Sequence, residues 1–302
     1  MLSVLLTGSS GFLGSNTQLF LRGRAETIGL ARRPPIGTPL GPYVTVDLRN
    51  QKETVKSVRE FKPDVILHIA AIAGHETAAK DPQQAYAVNV EMTRVLSELA
   101  CDMESQMVYF STDALFSGST GSYSECDPVT PFSYYGETKA QGEEAVRDAI
   151  SNHLIVRTNF FGWSETGDKS ILEFFVNSLR AGRSVSGYPD FVVTSIYVTQ
   201  LIDVVWDLIR SRQSGTFHVA SGDALSKYDF GLHVADAFDL DRGLIAPQQS
   251  THHESGISRS RNLSLKTDKV SAALQRDMPT QRDGILAAKS SERTSVEELR
   301  MR

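Results

Sequence analysis

Two cysteines in 302 residues, Cys101 and Cys126, supply neither a disulfide framework nor metal-ligand spacing. Such a chain suits a reducing cytoplasm. Strongly basic charge is missing as well: the formal net charge is -5, which argues against general nucleic-acid binding. No apolar run reaches the length of a membrane span, and no basic segment precedes an apolar one at the N-terminus, so neither a membrane anchor nor a signal peptide is expected. Repeats and low-complexity tracts are absent too. What remains is an ordinary globular composition, 40% hydrophobic and 22% charged, long enough for one large domain or two closely joined ones.

The most informative stretch is the first fourteen residues. Ser3-Val4-Leu5-Leu6 reads as a buried strand and runs into Thr7-Gly8-Ser9-Ser10-Gly11-Phe12-Leu13-Gly14. Phe12, Leu13, Leu19, Phe20 and Leu21 then recur at helical spacing. A strand, a glycine-rich turn and a helix start, in that order, form a cradle for a pyrophosphate. Glycine lets the backbone approach it, and the free N–H groups and helix dipole favour its charge. A tight connection without a ligand is the plainer alternative, but the flanking strand and helix are the context the motif requires.

Strands and helices then alternate. Strands are expected at 25–31, 43–46, 65–69, 107–110 and 153–157, and helices at 51–61, 82–101 and 133–150. Val65-Ile66-Leu67-His68-Ile69 is continuously apolar but for His68, as in a sheet covered on both faces. The alternation predicts an α/β fold with a parallel, doubly wound sheet. Later pieces are less regular: helices at 170–180, 197–210, 228–238 and 268–274, a strand at 216–219, and a frayed helix or tail at 290–302. They predict a smaller C-terminal lobe over the cofactor edge of the sheet.

Residue type at the end of the second strand bears on the cofactor. An acid there would bind a ribose 2′-hydroxyl, whereas arginines accommodate a 2′-phosphate. Arg32 and Arg33 therefore point to NADPH, with NAD still open and a solvated basic loop as the alternative. Tyr135 and Lys139 are four apart on an expected helix and share a face. A lysine ammonium near a phenol favours phenolate, so Lys139 is expected to pull Tyr135 down towards working pH. Such a phenol can give a proton to a carbonyl oxygen as a hydride reaches its carbon. With nine tyrosines in the chain the spacing alone is weak, and its weight comes from following the fifth strand. Thr112 ends that strand, where open α/β sheets bind ligands, and its hydroxyl could orient a substrate oxygen or merely cap a turn. His252-His253-Glu254 has no further ligands nearby and reads as a solvated loop, so no metal is expected; His68 reads as a core histidine or a cofactor neighbour.

Together, Thr7-Gly8-x-x-Gly11-x-x-Gly14, Asp47-Leu48, Ala70-Ala71, Asn89 and Tyr135-x-x-x-Lys139 resemble an extended short-chain dehydrogenase/reductase. Ser111-Thr112-Asp113-Ala114-Leu115-Phe116 with Tyr123, Glu125, Pro128, Pro131, Gly142 and Glu143 is similar to the dTDP-4-dehydrorhamnose reductase family. So is the closing segment Arg259 to Leu265 with Lys269 and Leu274. The resemblance implies a Rossmann domain of residues 1–157 and about 191–220, a substrate lobe of about 158–190 and 221–288, and a polar tail at 289–302. It implies NADPH-dependent reduction of a nucleoside-diphosphate 4-keto-6-deoxysugar, with Thr112, Tyr135 and Lys139 as the catalytic triad. Gly8, Ser10, Gly11, Phe12, Leu13, Gly14, Arg32, Arg33, Asp47, Leu48, Ala70, Ala71 and Asn89 fall on cofactor positions. Asp113, Asn159, Trp163 and Arg259 are substrate-binding candidates, Trp163 being equally readable as a packing anchor. The chain departs from the family at Ala114-Leu115-Phe116-Ser117 and at Thr158 to Trp163, where the sugar is expected. An epimerase on the same fold and a non-catalytic cofactor-binding regulatory subunit are the rival readings. A homodimer is compatible with all of them.

Overall fold

The computed structural model describes residues 1–34, 41–250 and 262–300. Its first half is β1 (Ser3–Thr7), α1 (Phe12–Leu21), β2 (Glu26–Ala31), β3 (Tyr43–Thr45), α2 (Gln51–Phe61), β4 (Val65–His68), α3 (His75–Lys80), α4 (Pro82–Tyr86), α5 (Met92–Asp102), β5 (Gln106–Thr112) and α6 (Tyr134–Ala149). The second half is β6 (His153–Thr158), β7 (Phe160–Phe161), α7 (Ile171–Arg180), β8 (Val185–Gly187), β9 (Val192–Val193), β10 (Ile196–Tyr197), α8 (Val198–Arg210), β11 (Gly215–His218), β12 (Leu225–Ser226), α9 (Lys227–Ala237), β13 (Ile245–Pro247), α10 (Asp268–Leu274) and α11 (Gln281–Arg300).

Seven strands form one sheet in the order β11-β6-β5-β4-β1-β2-β3, every neighbour parallel. The doubly wound reading is correct. Successive residues of a strand face opposite sides, so the buried runs feed two separate cores. Val4, Leu6, Val65, Leu67, Val108 and Phe110 face one, with α1 and α8. Leu5, Ile66, Met107, Tyr109 and Ile155 face the other, with α2, α5 and α6. Each fully buried Leu or Ile contributes about 1.5–3 kcal/mol, which is why the middle positions of these strands are apolar and their polar residues gather at the ends. His68 is one of these, and it is a satisfied core histidine: its ring nitrogens lie 2.7 Å from Thr7 Oγ1 and 2.9 Å from Thr93 Oγ1. Burial pushes its pKa down to about 3, so the ring is neutral.

Three features differ from the sequence expectation. The helix expected at 82–101 contains a π-helical turn at Ala87–Glu91, where Thr93 Oγ1 donates to the Asn89 carbonyl (2.8 Å). Such insertions commonly mark functional sites. α3 was not expected. Finally, the polar segment from Ser290 is no tail: it is the second half of the 20-residue α11. Ile285, Ala288 and Leu299 are fully buried on one face, and Trp163 Nε1 donates to the Ala288 carbonyl (2.9 Å). The remaining strands pair off as three two-stranded sheets, β7 with β10, β9 with β12 and β8 with β13.

Candidate active site

The glycine turn is built as a cradle. Gly8 has φ +69°, and a Cβ there would sit 2.9 Å from the backbone of Ala70. A Cβ on Gly14 would come 2.2 Å from the Gly8 carbonyl, so glycine lets α1 close onto the turn. The Gly8 N–H donates to Leu30 O at 2.7 Å, fixing the turn to β2. In front of it lies a cleft of about 620 Å³ at the carboxyl ends of the strands.

Gly8, Ser10, Gly11, Phe12, Leu13, Arg32, Arg33, Asp47, Leu48, Ala70 and Ala71 line this cleft, and so do Tyr135 and Lys139. Gly14 serves it from behind, through the packing just described. Asn89 does not line it. Its amide accepts from Ile72 N (2.9 Å) and donates to Ile72 O and Thr138 Oγ1, which clamps the loop after β4 to α6. Arg49 was missed. It lines the cleft beside Arg32 and Arg33 and forks onto Asp47, with Nη2 at 2.6 Å from Oδ2. Those bonds hold the Asp47 carboxyl below its ordinary range.

The loop after β7 was missed as well. Ser164, Glu165, Thr166 and Lys169 face the glycine turn across the cleft, and Ser15 Oγ donates to Glu165 Oε1 (2.9 Å). Glu173 fixes this loop by accepting from the N–H groups of Ser164, Lys169 and Ser170. Thr158 also lines the cleft, and its buried hydroxyl has no partner among the described residues. A cradle that any Cβ would fill, a cluster of arginines at the β2 end and an unspent hydroxyl together fit a phosphorylated dinucleotide.

Ser133 caps α6, its hydroxyl accepting from Gly136 N (3.2 Å), and this sets Tyr135 and Lys139 in the first turns. Lys139 Nζ donates to the Phe110 carbonyl (2.7 Å) and lies 3.9 Å from the centre of the Tyr109 ring. Burial pushes its pKa down to about 7, against the attraction of Glu143. Glu143 is itself buried and held by both arms of Arg157, at 2.9 and 2.8 Å. Tyr135 corrects the expectation. Its phenol is pushed up to about 12 by burial, with the neighbouring Thr112 opposing and the charge of Asp113 reinforcing. Desolvation outweighs any pull from Lys139 here, so Tyr135 keeps its proton at neutral pH.

Thr112 is buried at the end of β5. Its Oγ1 accepts from Ala114 N (3.1 Å) and donates to Asp113 Oδ1 (3.1 Å). Asp113 also accepts from Asn159 Nδ2 at 2.8 Å, and burial pushes its carboxyl up to about 6. Trp163 stands apart from this group. It is buried, bonded to Ala288 O and edge-on to Phe238, which is the packing-anchor geometry. Arg259 and the His252-His253-Glu254 stretch lie outside the described residues.

A doubly wound sheet with a glycine cradle, and a tyrosine and lysine one helical turn apart beneath it, defines an extended short-chain dehydrogenase/reductase. The chain belongs to the RmlD substrate binding domain family, which it matches over residues 2–292. It is 29% identical over 291 residues to the probable low-salt glycan biosynthesis reductase Agl14 of Haloferax volcanii, covering 95% of this chain and 97% of that one. To a dTDP-4-dehydrorhamnose reductase of Aggregatibacter actinomycetemcomitans it is 27% identical, over 78% of this chain and 79% of the relative. To methionine adenosyltransferase 2 subunit beta of Mus musculus it is 25% identical, over 88% and 81%. The fold matches a dTDP-4-dehydrorhamnose reductase of Bacillus anthracis in complex with NADP, with a TM-score of 0.86 at 21% identity, covering 96% of this chain and 99% of that one. No helix among the described residues is long and apolar enough to cross a membrane.

Proposed function

We propose that this chain is an NADPH-dependent reductase of a nucleoside-diphosphate 4-keto-6-deoxysugar. One observation carries the reading: Tyr135 and Lys139, one helical turn apart on α6, line the dinucleotide cleft together. When bound, the cofactor supplies hydride to the sugar C4. Gly8, Gly11 and Ser10 would hold its pyrophosphate, and Arg32, Arg33 and Arg49 its 2′-phosphate. Tyr135 gives its phenolic proton to the C4 oxygen. Lys139, fixed on Phe110 O one helical turn from Tyr135, stabilises the phenolate as it forms when its amine is protonated. Thr112 stands beside the Tyr135 phenol.

The test is Tyr135→Phe, with NADPH oxidation followed at 340 nm on a panel of 4-keto sugar nucleotides. General acid catalysis supplies about 10²- to 10⁴-fold, so the variant should lose at least about a hundredfold in kcat. Most of the rate surviving would remove Tyr135 as the acid. The relatives named for dTDP-4-dehydrorhamnose reduction and glycan biosynthesis support the substrate class. A nucleotide-sugar epimerase would instead retain tightly bound NAD through purification. Dehydration is disfavoured because Asp113 is followed by Ala114 and not by a second acid. The likeness to methionine adenosyltransferase 2 subunit beta favours a second reading, a cofactor-binding regulatory subunit. A stable partner enzyme and no turnover on any keto sugar would decide for it. A cytoplasmic location and a homodimer complete the proposal.

A further inference from the structure

Asp113 and Asn159 stand in the sequence where the sugar is expected, yet neither lines the cleft and both are engaged within the protein. Asn159 uses both ends of its amide within the protein. Nδ2 donates to Asp113 Oδ2 at 2.8 Å, and Oδ1 accepts from Ser195 Oγ at 2.6 Å. Asp113 has both carboxylate oxygens engaged, one by Asn159 and the other by Thr112 Oγ1 at 3.1 Å. Thr112, Asp113 and Ser195 are all buried, at 7%, 4% and 3% exposure. The chain Ser195–Asn159–Asp113–Thr112 thus runs from the residue before β10 to the end of β5.

Proton bookkeeping at Thr112 makes the chain consequential. A hydroxyl has one proton and two lone pairs. The Ala114 N–H occupies one lone pair, and the proton goes to Asp113. One lone pair remains, so the hydroxyl can accept once more but has no second proton to give. We propose that Asp113, Asn159 and Ser195 are positioning residues that fix the proton of Thr112 beside Tyr135. They are not contacts to the sugar. The inference rests on the reductase reading and deepens it.

This arrangement requires Asp113 as carboxylate, because a carboxylic acid carries a proton of its own towards Thr112. The groups acting on that carboxyl are Asn159 and Thr112 by hydrogen bond, Lys227 from α9 by charge and Tyr135 from α6. Burial sets its pKa near 6, and donation from Asn159 lowers it. Activity is therefore present above that pH and lost as pH falls through it. Removing the Asn159 donor must move the loss to higher pH.

The experiment compares wild-type protein, Asn159→Ala and the milder Ser195→Ala. Steady-state reduction of a 4-keto-6-deoxysugar nucleotide is measured from pH 5 to 8. In parallel, the Asp113 carboxyl is titrated by ¹³C NMR without substrate, its signal identified by its loss in Asp113→Asn. The expected result for Asn159→Ala is a kcat lower by about tenfold, a KM within about twofold, and an acid limb and NMR titration both raised by about one pH unit, as for the loss of a hydrogen bond to the ionised form. Ser195→Ala moves both in the same direction by less. A purely structural defect would lower kcat without moving either titration. A tenfold rise in KM at unchanged kcat would make Asn159 a sugar contact and overturn the inference. So would an Asp113 titration unmoved in Asn159→Ala. If the wild-type protein reduces no such sugar, the reductase reading fails by itself, and the NMR titration still decides whether the chain governs Asp113.

Discussion

Glu143→Leu tests how the catalytic helix is held. Glu143 is fully buried on α6, eight residues after Tyr135 and four after Lys139, so all three share one helical face. Its carboxylate takes both arms of Arg157 from β6, whose side chain is 4% exposed, and a further bond at 3.2 Å from the half-exposed Arg147. Burial raises the Glu143 pKa, but the bonds and charge of Arg157 outweigh it and hold the carboxyl below its ordinary range. The replacement leaves Arg157 buried with its charge uncompensated. Breaking a buried pair from one side costs about 3–5 kcal/mol. For a chain of 302 residues each kcal/mol moves Tm by roughly 1.6 °C, so Tm should fall by about 5–8 °C. The double variant Glu143→Leu/Arg157→Met removes both charges and should recover most of the loss. Linkage adds a pH signature. A carboxyl depressed in the folded state contributes stability above its unfolded pKa of about 4.3, and that contribution disappears as pH falls through the folded value. Denaturant melts at pH 7 and pH 4 should therefore show the wild-type advantage shrinking in acid. A loss below about 1 kcal/mol at pH 7, or a double variant no better than the single, would refute the reasoning.

Other positions give sharper local tests. Gly14→Ala places a Cβ 2.2 Å from the Gly8 carbonyl, so NADPH fluorescence titration should show at least about tenfold weaker binding, corresponding to about 1.4 kcal/mol. Exchanging Arg32 and Arg33 for serine should weaken NADPH by about tenfold or more and leave NADH nearly unchanged; equal losses for both would move 2′-phosphate recognition to Arg49. Trp163→Phe removes the bond to Ala288 O, so it should cost about 1 kcal/mol of stability and leave KM unchanged; a raised KM would return Trp163 to the substrate pocket.

The parts legible in the sequence are those whose determinants are local. Val4-Leu5-Leu6 followed by Gly8, Gly11 and Gly14 specifies its strand, turn and helix within a few residues, and Tyr135 with Lys139 sits on a well-capped helix. What was illegible depends on distant partners. Glu143 meets Arg157 across 14 positions, and Trp163 meets Ala288 across 125, so neither role can be read from neighbours. Strands such as β9 and β10 have two residues each, too short to show any period. In α11 the buried Ile285, Ala288 and Leu299 are scattered among serines and charged residues, which leaves a frayed helix and a tail equally open from the sequence and hides the start of the helix at Gln281. The Tyr135 ionisation failed for a different reason. Its spacing to Lys139 was correct, but burial is a tertiary quantity and it outweighed the expected charge effect.

In the proposed reaction, hydride from NADPH reaches C4 of a nucleotide-linked keto sugar in this cleft. Turnover of a nucleoside-diphosphate 4-keto-6-deoxysugar with NADPH deuterated at the transferred position tests it most directly, with the product analysed by NMR. One deuterium per product molecule is expected, at C4 and on one face only. Product without deuterium at C4, or no product while NADPH binds normally, would contradict it.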